Sequence, residues 1–254
     1  MRKLIVLALT AFMVAGGIAA AQAKSAYSVT LAVNHTKVDL GSAIVLSGKV
    51  SPSAKGQTVK IQRRIGSGSW TTLRTVTLSS SSTYRATYKP TKAGPQQYRV
   101  QKVASSSNSA GNSATRSLDV YRWRWLYDVP TTFEPEAGYF SGGYPMAGEV
   151  YQKSISLKSG DSISWSVNAN KCTKLKVYMG IDDDSAVGTS GTDTILTGLL
   201  IDGAEGTFER YDDPTYVVRN IGGWNSVTFQ FVKAQSSGTN VYGMFGAPQV
   251  YCNS

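Results

Sequence analysis

Histidine occurs once in this sequence, at His35, and cysteine only twice, at Cys172 and Cys252. A Ser/His/Asp or Cys/His mechanism would have to use His35, and no nucleophile motif stands beside it. One histidine and two cysteines fall short of a tetrahedral zinc set. Acidic residues are scarce in the first half: residues 24–120 hold two, Asp39 and Asp119, against 14 Lys and Arg, a net of +12. Residues 121–254 hold 10 Lys and Arg against 14 Asp and Glu, a net of −4. A break of this kind marks a domain boundary, placed at 119–121. Beyond the first two dozen residues no apolar run reaches the length of a spanning helix, so no membrane span is expected in the mature chain. Long stripes at helical spacing are also missing. That excludes helical bundles and leaves an all-β protein.

The N-terminus reads MRKLIVLALTAFMVAGGIAAAQA: two cations, an apolar run and the small-residue site Ala21-Gln22-Ala23. That is a secretory signal peptide, residues 1–23, cleaved after Ala23, and the expected location is extracellular. In an exported chain, two cysteines are expected to form one disulfide, Cys172 with Cys252. A strongly basic first half would attract anionic cell-wall polymers or membranes without a specific site. No nucleic-acid module is recognisable.

Within 24–120, the segments YSVTLAVN, AIVLSGKVSP, TVKIQRRI, SWTTLRTVTLS, STYRATYKP, QQYRVQKVA and ATRSLDV alternate apolar with polar residues. Turn signals separate them at 37–41, 52–56, 66–68, 79–82 and 91–95. Seven short strands at this spacing predict a Greek-key sandwich. The Ser-rich stretch 105–113 is read as a hairpin loop, because SLDV is needed as the last strand. The pattern G-x-V-x-P at Gly48, V-x-I-Q-R-R, Trp70 and Y-R-A-T-Y resembles bacterial immunoglobulin-like repeats over most of 27–120. That resemblance implies a spacer. This half has no cysteine pair and so lacks the intersheet disulfide of antibody domains, and Trp70, Tyr84, Tyr88 and Tyr98 are read as packing in or beside the core.

The second half reads as eight strands: WRWLYDVP, GEVYQKSISL, SISWSVN, TKLKVYMGID, TILTGLLIDG, PTYVVRNI, NSVTFQFVK and GAPQVYC. In KLKVYMGI, period two puts Leu175, Val177, Met179 and Ile181 on one face and Lys174, Lys176 and Tyr178 on the other. Val227, Phe229 and Phe231 share a face in the same way. Eight strands predict a jelly-roll sandwich over 121–254.

In order along 124–252, WLYDVP, GEVYQKSISL, KLKVYMGIDDD, TILTGLLIDG, WNSVTFQF and MFGAPQVYC resemble the strands of the carbohydrate-binding module named for its place at the N-terminus of a glycoside hydrolase family (NPCBM). The most distinctive element is a strand ending in G-[VIL]-D-D, here Gly180–Asp183. Met244-Phe245-Gly246 stands where that family carries Asp and Trp. The resemblance implies a galactose-binding-like jelly roll, with sugar held by loops at one end of the sandwich or on a concave face; no catalysis is expected, since no nucleophile motif or histidine partner is present. Sugar recognition needs rings for C–H faces and planar polar groups for hydroxyls. The candidates are Tyr139, Tyr144, Asp182, Tyr211 and Trp224, with Phe140 in the same loop as Tyr139.

Adjacent Asp182, Asp183 and Asp184 do not have the separation a glycosidase pair requires. The EF-hand pattern is absent, so no metal or cofactor is assigned, and a looser structural calcium site at Asp182–Asp184 and Asp193 stays open. Asp182 is expected to brace the loop after its strand, and Asp202-Gly203 to form a hairpin turn. The expected function is an exported, non-catalytic protein that binds polysaccharide or cell-wall glycan. The alternative is a structural or protein-interaction protein of the envelope.

Overall fold

The computed structural model describes residues 24–133, 139–140, 143–158, 160–185, 196–201, 204–208, 212–235 and 242–254. The chain is all-β: apart from one three-residue 3₁₀ turn at Leu126–Asp128, every regular element among these residues is a strand. No described helix is long and apolar enough to cross a membrane.

The first ten strands are β1 (Ser28–Val29), β2 (Ala32–Val33), β3 (Lys37–Asp39), β4 (Ile44–Ser51), β5 (Thr58–Ile65), β6 (Thr71–Thr77), β7 (Thr83–Tyr88), β8 (Gly94–Lys102), β9 (Gly111–Asn112) and β10 (Arg116–Trp125). Strands β1, β2 and β7 pair with β4 in one sheet; β6, β5, β8 and β10 follow one another in the facing sheet. Between them lies a core that includes Ile44, Leu46, Val59, Ile61, Tyr98, Val100, Leu118 and Val120. This is the Greek-key sandwich expected from the alternating pattern. Tyr84 and Tyr98 are buried in it, and Tyr88 packs against it. Glycine is required at Gly48, where a Cβ would lie 2.0 Å from the carbonyl oxygen of Thr30. The hydroxyl of Tyr84 donates to that same oxygen at 2.5 Å.

Three features of this half differ from the expectation. Lys37–Asp39, read as part of a turn, forms β3, which pairs in parallel with Asp119–Tyr121 of β10. The loop read at 105–113 contains β9, hydrogen-bonded to β8. Trp70 is half-buried on the outer side of the β5–β8 sheet, with arginines, instead of joining the core.

The remaining strands are β11 (Thr131–Phe133), β12 (Tyr139–Phe140), β13 (Tyr144–Met146), β14 (Glu149–Tyr151), β15 (Ile155–Lys158), β16 (Ser162–Ser166), β17 (Cys172–Ile181), β18 (Leu196–Ile201), β19 (Ala204–Phe208), β20 (Thr215–Asn220), β21 (Ser226–Gln235) and β22 (Tyr242–Cys252). One sheet runs β12-β15-β22-β17-β20 and the other β11-β16-β21-β18-β19. A second core fills the space between them, with Trp165, Phe229, Phe231, Phe245, Leu175, Val177, Met179 and Ile181 buried. The period-two reading of β17 and β21 is therefore realised side chain by side chain. Ile201 pairs with Ala204, and Asp202 and Gly203 between them lie outside the described residues.

Residues 116–125 form one unbroken strand. Its first half pairs with β8 and its second half, Arg122–Trp125, with Val250–Cys252 and Gln249 of β22. The segment WRWLYDVP thus does not open a new strand. Its first residues end β10, and Leu126–Asp128 turn away. The join is reinforced by side chains: Tyr251 donates to Asp39, Asn253 donates to Asp119 at 2.7 Å, and Tyr121 stacks on Tyr251 at 5.1 Å. Cys172 and Cys252 are register partners on β17 and β22 and form the expected disulfide.

Candidate functional site

Strand β17 ends at Ile181, and the three aspartates follow directly. Asp182 is 3% exposed. Its backbone N–H donates to the carbonyl of Tyr242 at 3.2 Å, which prolongs the β17–β22 ladder by one residue. Its carboxylate Oδ1 accepts from the N–H of Asp184 at 3.0 Å. That is an Asx turn, the bracing role expected of the first aspartate. Ser185 then closes the loop, its hydroxyl accepting from the Tyr242 N–H at 3.0 Å.

Asp183 has a role that its sequence position did not reveal. Its N–H donates to the carbonyl of Pro145 at 3.1 Å. Its two carboxylate oxygens accept from the N–H groups of Ala147 at 2.9 Å and Gly148 at 2.8 Å. Ala147 and Gly148 are the two turn residues of the β13–β14 hairpin, both at positive φ, 49° and 79°. A two-residue turn with two positive φ values is the type I′ geometry that suits a twisted hairpin. Asp183 therefore clamps the tip of a hairpin 35 residues earlier in the chain.

That hairpin lies across the outer face of the β22–β17 sheet. Met146, fully buried, sits over Gly180 and Gly246: a Cβ on Gly246 would come within 2.5 Å of its Cε and 2.9 Å of the Tyr151 Cβ. The run Met244-Phe245-Gly246 thus has a packing reason of its own. Gly246 admits the hairpin, and Phe245 stacks on Phe229 in the core at 4.3 Å.

Hairpin, aspartate loop and β15 together enclose a cleft of about 260 Å³ lined by Tyr144, Ser156, Asp182, Asp184 and Tyr242. Tyr144 and Tyr242 are each partly exposed, and Asp184 is exposed. The Lys158 ammonium stands 5.8 Å from the centre of the Tyr242 ring. The cleft combines two phenol rings, one serine hydroxyl and two carboxylates. Rings offer flat apolar faces with a polar edge, and carboxylates and hydroxyls offer hydrogen bonds, the complement of a small polyol with C–H faces.

Of the residues proposed from sequence, the structure brings Tyr144 and Asp182 together in this cleft. The Cα of Tyr139 is register partner to Ser156, a cleft residue; the Tyr139 side chain, Phe140 beyond its backbone, Tyr211, Asp193 and Asp202 lie outside what is described. Trp224 is elsewhere. Its turn is tied to the start of β17 through the Ile221 N–H, which donates to the carbonyl of Thr173. The indole packs against the second core. Ten residues of β17 separate that end from the cleft, about 30 Å of strand. Ser156 and Tyr242 were missed in the sequence. Ser156 sits between Ile155 and Leu157, and all three are buried, which breaks the alternation that would have flagged a polar face. Among the described residues, no group of three His, Cys, Asp or Glu is arranged to hold a metal ion.

No family model and no curated protein matches the sequence. Among solved structures, the chain is similar to the CBM51 module of Clostridium perfringens GH95 in complex with methyl-galactose. The match has 16% identity over 51% of this chain and 99% of that one, with a TM-score of 0.40. It is also similar to the tandem CBM51 modules of Sp3GH98, the family 98 glycoside hydrolase of Streptococcus pneumoniae: 10% identity, 83% and 81% coverage, TM-score 0.41. A third likeness is to the M60 catalytic domain with CBM51-1 and CBM51-2 of Clostridium perfringens ZmpB: 12% identity over 90% of this chain but 31% of that one, TM-score 0.41. All three TM-scores are below 0.5, so the reading of function rests on the cleft's own chemistry.

Proposed function

We propose that this is an exported, non-catalytic carbohydrate-binding protein whose cleft at Tyr144, Ser156, Asp182, Asp184 and Tyr242 takes a neutral sugar. In this reading residues 1–23 are a signal peptide, 24–120 an immunoglobulin-like spacer and 121–254 the NPCBM-like binding module. The observation that carries it is the pairing of two tyrosine rings with two carboxylates in one cleft at the loop end of a sandwich. Asp182 is already oriented by the Asp184 N–H, so little side-chain freedom is lost on binding. The ordered strand motifs of 124–252 point the same way.

The test is retention of residues 24–254 on a panel of plant and cell-wall polysaccharides, with methyl galactoside as a soluble competitor. Binding that falls at least about tenfold in Tyr144→Ala and in Tyr242→Ala, as expected for the loss of a stacking ring, supports the reading. Absence of retention on every glycan sinks it. The protein-interaction alternative draws on Tyr216 and Val218, each 51% exposed on the outer face of β20 beside Tyr178. It predicts a purified protein partner whose binding is lost in Tyr216→Ser and untouched by Tyr144→Ala.

A further inference from the structure

The first half carries a built feature that sugar binding in the cleft does not use. On β5 and β8, Val59, Ile61, Tyr98 and Val100 point into the core, so Lys60, Gln62, Arg64, Gln97, Arg99 and Gln101 point outward. Arg64 pairs in register with Gln97, and Arg99 with Gln62. The side chains repeat that register. Arg64 Nε donates to Gln97 Oε1, and Arg99 Nε donates to Gln62 Oε1 at 2.8 Å. The two guanidiniums both lie against the Trp70 ring, at 4.9 and 4.4 Å from its centre.

This arrangement is electrostatically incomplete. Two positive charges share one indole and so stand within about 10 Å, the screening length at 0.1 M salt. A carboxylate set across the strand pair from each arginine would stabilise the arrangement. Here the cross-strand partner of each arginine is a neutral amide. Among the described residues neither arginine has an ion pair. The only two carboxylates of residues 24–120 are engaged at the junction, Asp39 with Tyr251 and Asp119 with Asn253. The glutamines fix each guanidinium through Nε and leave its outer N–H groups for a ligand. A fixed planar fork is the geometry that takes carboxylate or sulfate bidentately.

We infer that Arg64, Arg99 and Trp70, positioned by Gln97 and Gln62, form a binding site for an acidic polysaccharide. Carboxylate or sulfate groups of the polymer occupy the two guanidinium forks, and a sugar face or the polymer backbone lies along the exposed part of the indole. The site is separate from the cleft and does not depend on what the cleft binds.

The experiment uses the full mature chain, residues 24–254, with polygalacturonate and heparin as carboxylated and sulfated probes and dextran as the neutral control. Binding to either polyanion that weakens with salt is expected, with none to dextran. Arg64→Gln/Arg99→Gln should weaken it about tenfold or more, the loss of charge-assisted hydrogen bonds. The charge-matched Lys55→Gln/Lys89→Gln, at exposed lysines away from the ring, should change it less than about threefold, in keeping with plain screening of surface charge. Gln62→Glu/Gln97→Glu is the decisive variant, because it supplies the missing cross-strand carboxylates. It should melt no lower than the parent and yet lose polyanion binding. Equal losses in the arginine and lysine pairs would overturn the proposal, as would unchanged binding in the Glu variant. So would no binding to either polyanion, or tighter binding to single-stranded DNA of matched charge.

Discussion

Replacing Asp183 by alanine removes acceptors from the N–H groups of Ala147 and Gly148, at 2.9 and 2.8 Å, and leaves the β13–β14 tip without its clamp. Hydrogen bonds to a charged group contribute about 1.5–3 kcal/mol when buried. Gly148 is exposed and Ala147 half-exposed, so water takes over part of the bonding and the low end applies. An expected loss of about 2 kcal/mol falls mostly on the hairpin, because the core packed on the inner face of β17 is untouched. Hydrogen exchange at residues 146–151 should therefore accelerate roughly 10- to 30-fold, while that of β17 and β21 barely changes. The melting temperature should drop only a few degrees. Asp183→Asn keeps the size but places an amide donor against one of the two N–H groups, so it should recover half of the protection at most. Glycan binding should fall in step with the loss of protection, because Tyr144 is carried on the same hairpin. Unchanged exchange at 146–151 in Asp183→Ala would refute the clamp. The position of Tyr144 would then owe nothing to Asp183.

Three further outcomes are expected. Gly246→Ala forces a Cβ to 2.9 Å from the Tyr151 Cβ and should cost about 1–3 kcal/mol, read as a lower denaturant midpoint at constant slope. Cys172→Ser/Cys252→Ser opens a link between residues 80 apart and should destabilise by about 4 kcal/mol in the chain-entropy model, measured by urea unfolding of the oxidised parent against the variant. On the alkaline side, burial raises the phenols of Tyr84 and Tyr98, and burial followed by the Asp39 hydrogen bond raises that of Tyr251. In the pH range above about 10, the unfolded chain binds fewer protons than the folded one, so stability is fully present below about pH 10 and falls as pH rises past it. Titration of the unfolding free energy against phenolate absorbance checks this, and a flat profile above about pH 10 would contradict it.

What the sequence disclosed tracks the range of each interaction. The alternation in KLKVYMGI and VTFQF depends only on which neighbours are apolar, and the structure buries every residue assigned to the inner face. The disulfide followed from the cysteine count together with the expectation of export. Strand β3 was hidden because its partner, β10, lies some 80 residues away, and three residues give no period to read. The continuous β10 was hidden because charge balance divides the chain at 119–121, whereas backbone pairing does not depend on side-chain charge. The cleft was half visible. Tyr144 and Asp182 stood out as an aromatic and a carboxylate in loop-like stretches, whereas Tyr242 sits on a strand end and Ser156 inside a buried run. Trp224 looked like a loop aromatic because it follows two glycines, yet the turn folds its ring back onto the core.

The geometry of β10 bears on how the two proposed sites would work together. With one strand shared between the halves and both carboxylates of the first half bonded across the junction, the halves are held edge to edge and not by a flexible tether. The cleft lies at the Tyr242 end of β22, and the junction lies at its Cys252 end. Eleven residues of strand separate them, about 35 Å. A flexible connector would let a ligand of any length bridge two sites with an effective concentration that falls slowly with span. A fixed connector gives no gain to a ligand too short to reach and a sharp gain once it does. Affinity for an acidic glycan with neutral branches should then rise stepwise with chain length near a contour of about 35 Å or more, as that span requires. In Tyr251→Phe/Asn253→Ala, which loses the side-chain hydrogen bonds to Asp39 and Asp119 at the junction, the step should broaden while binding of short oligosaccharides to the cleft stays the same. A smooth rise in the parent protein would show that the halves act independently despite the shared strand.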